Sequence, residues 1–203
     1  MGRGNGVLPQ GSSPAGEGTR TLPVDDPGAD MKLYRAKIPV IAKAILERLS
    51  SEGDVEIRPE NREEAEKDLA AIMDEYLRRD NELRDRSRDL MADQNIPYSD
   101  FGRTRKKMAD EMGHPLGDDV ERFLCRQFIE NMMISPSIDE VYEEDRVIYK
   151  KVMEVLKAND VDENEIRQEA MGRMKNVQEG TVDYELQLQE QMKQVKKRRG
   201  LIN

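Results

Sequence analysis

The sequence predicts an all-α protein: two tandem antiparallel helical hairpins with long coiled-coil-like second helices, joined by a middle helical insert. Three observations carry that prediction. The first is an internal echo. Moving Ala65, Leu69, Ile72, Leu83, Leu90 and Ile96 forward by 105 positions reaches Ala170, Met174, Val177, Leu188, Val195 and Leu201, apolar on apolar at each step. An earlier stretch echoes at 107: Val40, Ile41, Lys43, Ile45, Leu46, Glu47 and Leu49 fall on Val147, Ile148, Lys150, Val152, Met153, Glu154 and Leu156. Two residues are thus missing from the turn between the matched segments in the second copy, where a structural repeat tolerates loss. The second observation is the alternation of threes and fours between apolar positions, the period of a helix. The third is composition. Charged residues at 37% match apolar ones at 36%, with no Trp and three Phe, which suits helices bearing one narrow apolar stripe and excludes a thick aromatic core.

The chain divides into residues 1–30, a first hairpin over 31–97, a middle insert over 98–137 and a second hairpin over 138–203. The head holds seven glycines and four prolines among small and polar residues. It cannot bury enough surface to offset chain entropy, and is expected to be disordered. Composition changes abruptly at Met31, which is either the biological start or the residue after a genuine tail. Pro39 sits where a missing N–H costs nothing, near a helix start. Ile38, Ile41, Ile45 and Leu49 follow along one face, and Gly53 closes the helix. After a turn carrying Val55 and Ile57, Pro59 opens a helix of about 30 residues with Ala65, Leu69, Ile72, Tyr76, Leu83 and Leu90 as its seam. Arg79 and Arg86 occupy two further seam positions, where their stems lie on apolar surface and their heads reach outward.

In the insert, Ser99 caps a short basic helix ending at Gly113. His114, Pro115 and Gly117 turn the chain, and Asp118 or Asp119 caps a helix bearing Val120, Phe123, Leu124, Phe128, Met132 and Met133. The stretch from Phe123 to Ile134 is the most apolar in the chain and is read as central core. Ser137 and Glu140 have the spacing of a capping box opening the next helix. The second copy carries the seam Ala170, Met174, Val177, Thr181, Tyr184, Leu188, Gln191 and Val195, weakened at Gly180. Of these, Met174, Val177, Thr181, Tyr184, Leu188 and Val195 form a candidate oligomer seam, which packs either on its own hairpin partner or on another chain.

A net charge of −9 repels polyanions at long range and favours solubility. No stretch approaches the roughly 20 apolar residues of a membrane helix, so no membrane partner is expected, and the chain reads as cytoplasmic. Cys125 is alone and His114 is the one histidine, which rules out a disulfide within the chain and the usual zinc spacings. Glu111 and His114 make a Glu-x-x-His pair, but di-iron bundles need two. Cys125 adjoins Leu124 on an apolar helix face and reads as a buried, inert thiol. No acid/base dyad or phosphate loop stands out, so no catalytic residue, metal or cofactor is expected.

The stronger signals are two basic clusters. Lys193, Lys196, Lys197, Arg198 and Arg199 crowd the end of the last helix, where cations also favour the helix dipole. Arg103, Arg105, Lys106 and Lys107 occupy the short middle helix, with Tyr98 and Phe101 nearby. Together they form a candidate phosphate-binding patch for nucleic acid or ribosome.

The run Met31-Lys32-Leu33, Lys37-Ile38, Ile41-Ala42, Ile45, Leu49, Asp54-Val55, Asp68-Leu69, Ile72 and Tyr76-Leu77-Arg78-Arg79 resembles the opening of bacterial proteins in domain-of-unknown-function family 507. The resemblance is best over 31–97, with a weaker second copy at 145–203 marked by Glu179-Gly180-Thr181 and Lys196-Lys197-Arg198-Arg199-Gly200. It implies a small helical fold and no reaction. Tyr184 is the one aromatic after Tyr149, fewer than that family leads one to expect. The functional expectation is a non-catalytic helical module that binds a protein or itself, with a nucleic-acid- or ribosome-associated factor as the alternative.

Overall fold

The computed structural model describes residues 32–174 and 182–202. The proposed head, the choice at Met31, and the seam positions Val177 and Thr181 lie outside the described residues. A 3₁₀ turn at Arg35–Lys37 leads into α1 (Ile38–Ser51), and a two-residue strand β1 (Val55–Glu56) follows. Next come α2 (Arg62–Asp93), α3 (Phe101–Met112) and α4 (Asp119–Ile134). Strand β2 (Glu140–Val141), α5 (Asp145–Asn159), α6 (Glu163–Met171) and α7 (Val182–Arg198) complete the order. The fold is all-α; among the described residues the one sheet is the antiparallel pairing of β1 with β2, Val55 opposite Val141 and Glu56 opposite Glu140.

Helix α1 begins with a proline in its first turn and buries Ile38, Ile41, Ala42, Ile45, Leu46 and Leu49. It ends as a Schellman motif. Gly53 adopts φ +80°, its N–H donates to Ser50 O, and Asp54 N–H donates to Leu49 O, a left-handed turn that glycine enters without a Cβ clash. Helices α1, α4 and α5 and the first half of α2 enclose the main core, which is centred on Phe128, Leu124, Ile45 and Leu49.

The long second helix of the first hairpin is present as α2, 32 residues long. Its buried stripe is Ala65, Leu69, Met73, Tyr76, Asp80, Leu83, Ser87 and Met91, which corrects the expected seam. Ile72 and Leu90 are half-buried beside it, and the inward polar positions are Asp80 and Ser87 in place of Arg79 and Arg86. The heptad reading fails because α2 is not paired with one partner along its length. It packs on α1 and α4 first and on α3 afterwards, so it keeps the straight-helix period of 3.6 residues and drifts off a 3.5 seam.

The second hairpin departs further from expectation. Helix α5 packs on α1 and α4, and the expected long partner is two helices, α6 and α7, packed on each other. The side chain of Asp162 accepts from the N–H groups of Asn164 and Glu165 and starts α6 afresh. Helix α6 ends at Met171, short of the seam's remaining positions. The two helices form a second core of Ile166, Ala170, Tyr184, Leu188, Val195 and Leu201 together with Tyr34.

Two capping predictions are also corrected. Glu140 lies in β2, and α5 starts at Asp145 without a side-chain cap, so Ser137 and Glu140 form no capping box. Ser99 sits inside a 3₁₀ turn, Tyr98–Asp100, and Asp100 occupies the N-cap of α3 without a side-chain hydrogen bond. Asp118 stands at the N-cap of α4, as its position predicts, also without a side-chain bond. Met133, expected in the core, is 61% exposed.

Candidate functional site

A buried polar cluster lies where α2, α3 and the turn into α4 meet. Helix α3 ends at Gly113, φ +62°, and His114 N–H donates to Ala109 O. This is the position after a left-handed cap, where the chain folds back and a side chain returns to its own helix. His114 is accordingly buried, its ring stacked on Tyr76 at 4.9 Å and 16°. Its Nε2 lies 3.5 Å from Asp80 Oδ1, at the outer limit of hydrogen bonding, so it acts on Asp80 as a nearby N–H dipole more than through a formed bond. Asp80 accepts from Arg105 on α3 and, at 3.1 Å, from Arg84 one turn along α2. Burial opposes ionisation of Asp80, but the His114 N–H and the two guanidiniums outweigh it and hold the carboxyl down, at about 2.

His114 also borders a shallow surface depression of about 400 Å³, lined by Asp110, Pro115, Asp119, Phe123, Arg126, Gln127 and Glu130. The imidazole presents 1% of its side-chain surface, so its nitrogens face the protein. Glu111, the other member of the Glu-x-x-His pair, is turned to solvent against Lys107 at 3.9 Å. The two do not converge, and among the described residues no three His, Cys, Asp or Glu side chains are placed to share a metal ion. Cys125 is fully buried, and burial pushes its thiol up to about 12. It is not grouped with His114.

The basic cluster splits on inspection. At the C-terminal end, Lys196 pairs with Glu163 at 2.9 Å, Arg198 with Glu169, and Arg199 with Glu169 at 2.8 Å and Glu165 at 3.6 Å. These cations tie α7 to α6. On α3, Arg105 is committed to Asp80. Among the described residues, Arg103, Lys106, Lys193 and Lys197 form no ion pair, and each is exposed.

Of the candidate oligomer seam, Tyr184, Leu188 and Val195 are buried against α6, and Met174 is half-buried beside them. Lys196 Nζ lies 5.7 Å above the ring of Tyr34, whose hydroxyl donates to Glu163.

Sequence reasoning missed three groups. Asp80 was hidden by the neighbouring Arg79, which fits a heptad equally well. The clamp of Lys151 on both oxygens of Asp54, at 2.8 and 2.6 Å, joins α5 to the end of α1, and Asp54 follows Gly53 as His114 follows Gly113. Residues after a left-handed glycine were thus the available signal. Tyr34 carried none, because it stands in an extended segment of few residues.

No helix among the described residues is long and apolar enough to cross a membrane. Comparison with curated proteins gives no match. A family model described as "Protein of unknown function (DUF507)" matches residues 31–201, extending well past the stretch of best resemblance and across both echoed halves. The chain therefore belongs to the DUF507 family.

Proposed function

We infer that the protein is a non-catalytic helical interaction module whose partner is a second copy of the chain, docked through the C-terminal end of α4. The observation that carries this reading is the pair Met133 and Ile134, 61% and 81% exposed. The inner face of α4 is saturated with buried side chains, yet its last two apolar residues stand in solvent next to each other. Adjacent exposed apolar groups of this kind favour protein contact, and methionine is enriched in such contacts. A small apolar patch matches itself across a twofold axis, where a charged one would repel its copy. The α6–α7 seam is a poorer candidate, since Leu188 and Val195 are already covered from within and docking there requires the two helices to part. The non-catalytic half of the reading is supported by the inward orientation of Asp80, His114 and Cys125. Stoichiometric zinc or iron in purified protein would contradict it.

Light scattering on the full chain tests the partner. Twice the chain mass is expected for the wild type and the chain mass for Ile134→Lys, with unchanged helical circular dichroism. Two chains of charge −9 repel, so the dimer strengthens with salt. A monomer at every concentration would remove this reading.

A further inference from the structure

Helices α6 and α7 form a unit stitched to itself. Arg198 and Arg199 of α7 both reach Glu169 of α6, and among the described residues the two helices pack on each other far more than on any other helix. Their apolar cluster shares no member with the main core. The start of α6 is likewise self-sufficient, because the Asp162 side chain satisfies the N–H groups of Asn164 and Glu165.

Two short stretches join this unit to the body. One is the link from α5, where Asp160 and Asp162 are both extended. Val161 packs on the second cluster, so the swivel lies ahead of it, at Asp160. The other is the strap, residues 32–34, which has no helical or strand bonds of its own. Its grip on the unit converges on Glu163, the first residue of α6. That carboxylate accepts from the Tyr34 hydroxyl, pairs with Lys196 of α7 at 2.9 Å and meets Lys32 at 3.8 Å. Leu33, between Lys32 and Tyr34, is buried in the main core.

We propose that the strap is a latch. With Tyr34 seated, the α6–α7 pair is held against the body; with Tyr34 withdrawn, the pair swings as one rigid piece about Asp160. Hinges of this kind are a few element-terminal residues that absorb a backbone rotation. The swing leaves the ion pairs within the unit, the cap of α6 and the main core intact, so what it gives up is the seat of Tyr34 and the bonds to Glu163. Burial of the tyrosine ring supplies most of the hold.

Double electron–electron resonance tests the latch, with spin labels on Lys43→Cys of α1 and Lys193→Cys of α7, both exposed positions. Cys125 is fully buried and stays unlabelled. Excess unlabelled chain restricts the reading to distances within one molecule, so the result does not depend on the dimer. The wild type should give one narrow distance. Tyr34→Ala is expected to move more than about half of the population to a second, broader distance, and Glu163→Gln, which leaves the ring in place, at least about a tenth. Circular dichroism of both should match the wild type. Asp80→Asn, which disturbs the body and not the latch, should keep the single narrow distance. Retention of the wild-type distance in Tyr34→Ala and Glu163→Gln would overturn the proposal. So would loss of helix accompanying the new distance, or the same second distance in Asp80→Asn. Should Tyr34→Ala not fold, Glu163→Gln alone reads the same outcomes.

Discussion

At Asp80 the chain places an ionised carboxylate where the period of α2 would accept a leucine. The side chain is tolerated because Arg105, Arg84 and His114 converge on it. A buried pair of this kind adds little net stability over an apolar replacement, but removal of one partner strands the other. Asp80→Asn is expected to cost about 3 kcal/mol in urea unfolding at neutral pH, since Arg105 keeps its charge without a counter-charge. The pH dependence follows from the depressed pKa. Asp80 ionises more readily folded, at about 2, than at its ordinary 3.8. Its stabilisation is therefore complete above about pH 4 and is lost as pH falls through 2. The difference between wild type and Asp80→Asn should shrink over that window, because a protonated aspartate resembles the asparagine. A difference that stays constant down to pH 2 would contradict the account. This centre was only half legible: the burial of His114 follows from its place after Gly113, whereas nothing in the spacing separates Asp80 from Arg79.

Among the elements, α2 shows what a helical pattern does and does not specify. Its existence and length were readable from the sequence, while Pro59, expected to open it, starts the 3₁₀ turn Pro59–Asn61 just ahead of it. Its register was not readable, because a coiled-coil seam and a straight-helix stripe share Ala65, Leu69, Tyr76 and Leu83 and part company at Ile72, Arg79, Arg86 and Leu90. The structure selects Met73 and Met91, since the partners of α2 change along its length. Truncation distinguishes the two registers. Met73→Ala should lower stability by about 3 kcal/mol and Ile72→Ala by less than half as much, measured by chemical denaturation; the reverse order would restore the heptad seam. Residues 135–142 failed for a different reason. Ser137 and Glu140 have cap spacing, but Ser135 before Pro136 is extended. Its hydroxyl donates to Asp68 at 2.6 Å, and Asp139 N–H donates to Glu56 O. Tertiary partners there outbid a local cap.

For the molecule as a whole, the echo between the two halves was legible in part. Ile41 and Ile148, Ile45 and Val152, and Leu49 and Leu156 are all buried at matching positions. The ends of α2 and α7 also correspond at a spacing of 105: Asn95 and Gly200 both take positive φ, and Ile96 and Leu201 donate back to Met91 and Lys196. What the sequence did not convey is that α6 and α7 form their own core. A short strap joins that core to the rest. Leu33 enters the main core and Tyr34 the second, because alternate side chains of an extended segment face opposite ways. With both cores covered, Met133 and Ile134 stand as an adjacent pair of apolar groups in solvent, and the dimer reading rests on them. Hydrogen–deuterium exchange on the full chain at about 1 and about 100 µM tests that claim most directly, since mass action populates a dimer only at the higher concentration. The account predicts slower exchange at high concentration confined to the end of α4 and the segment leading to β2. Protection appearing in α6 and α7 instead, or exchange that does not depend on concentration, would contradict it.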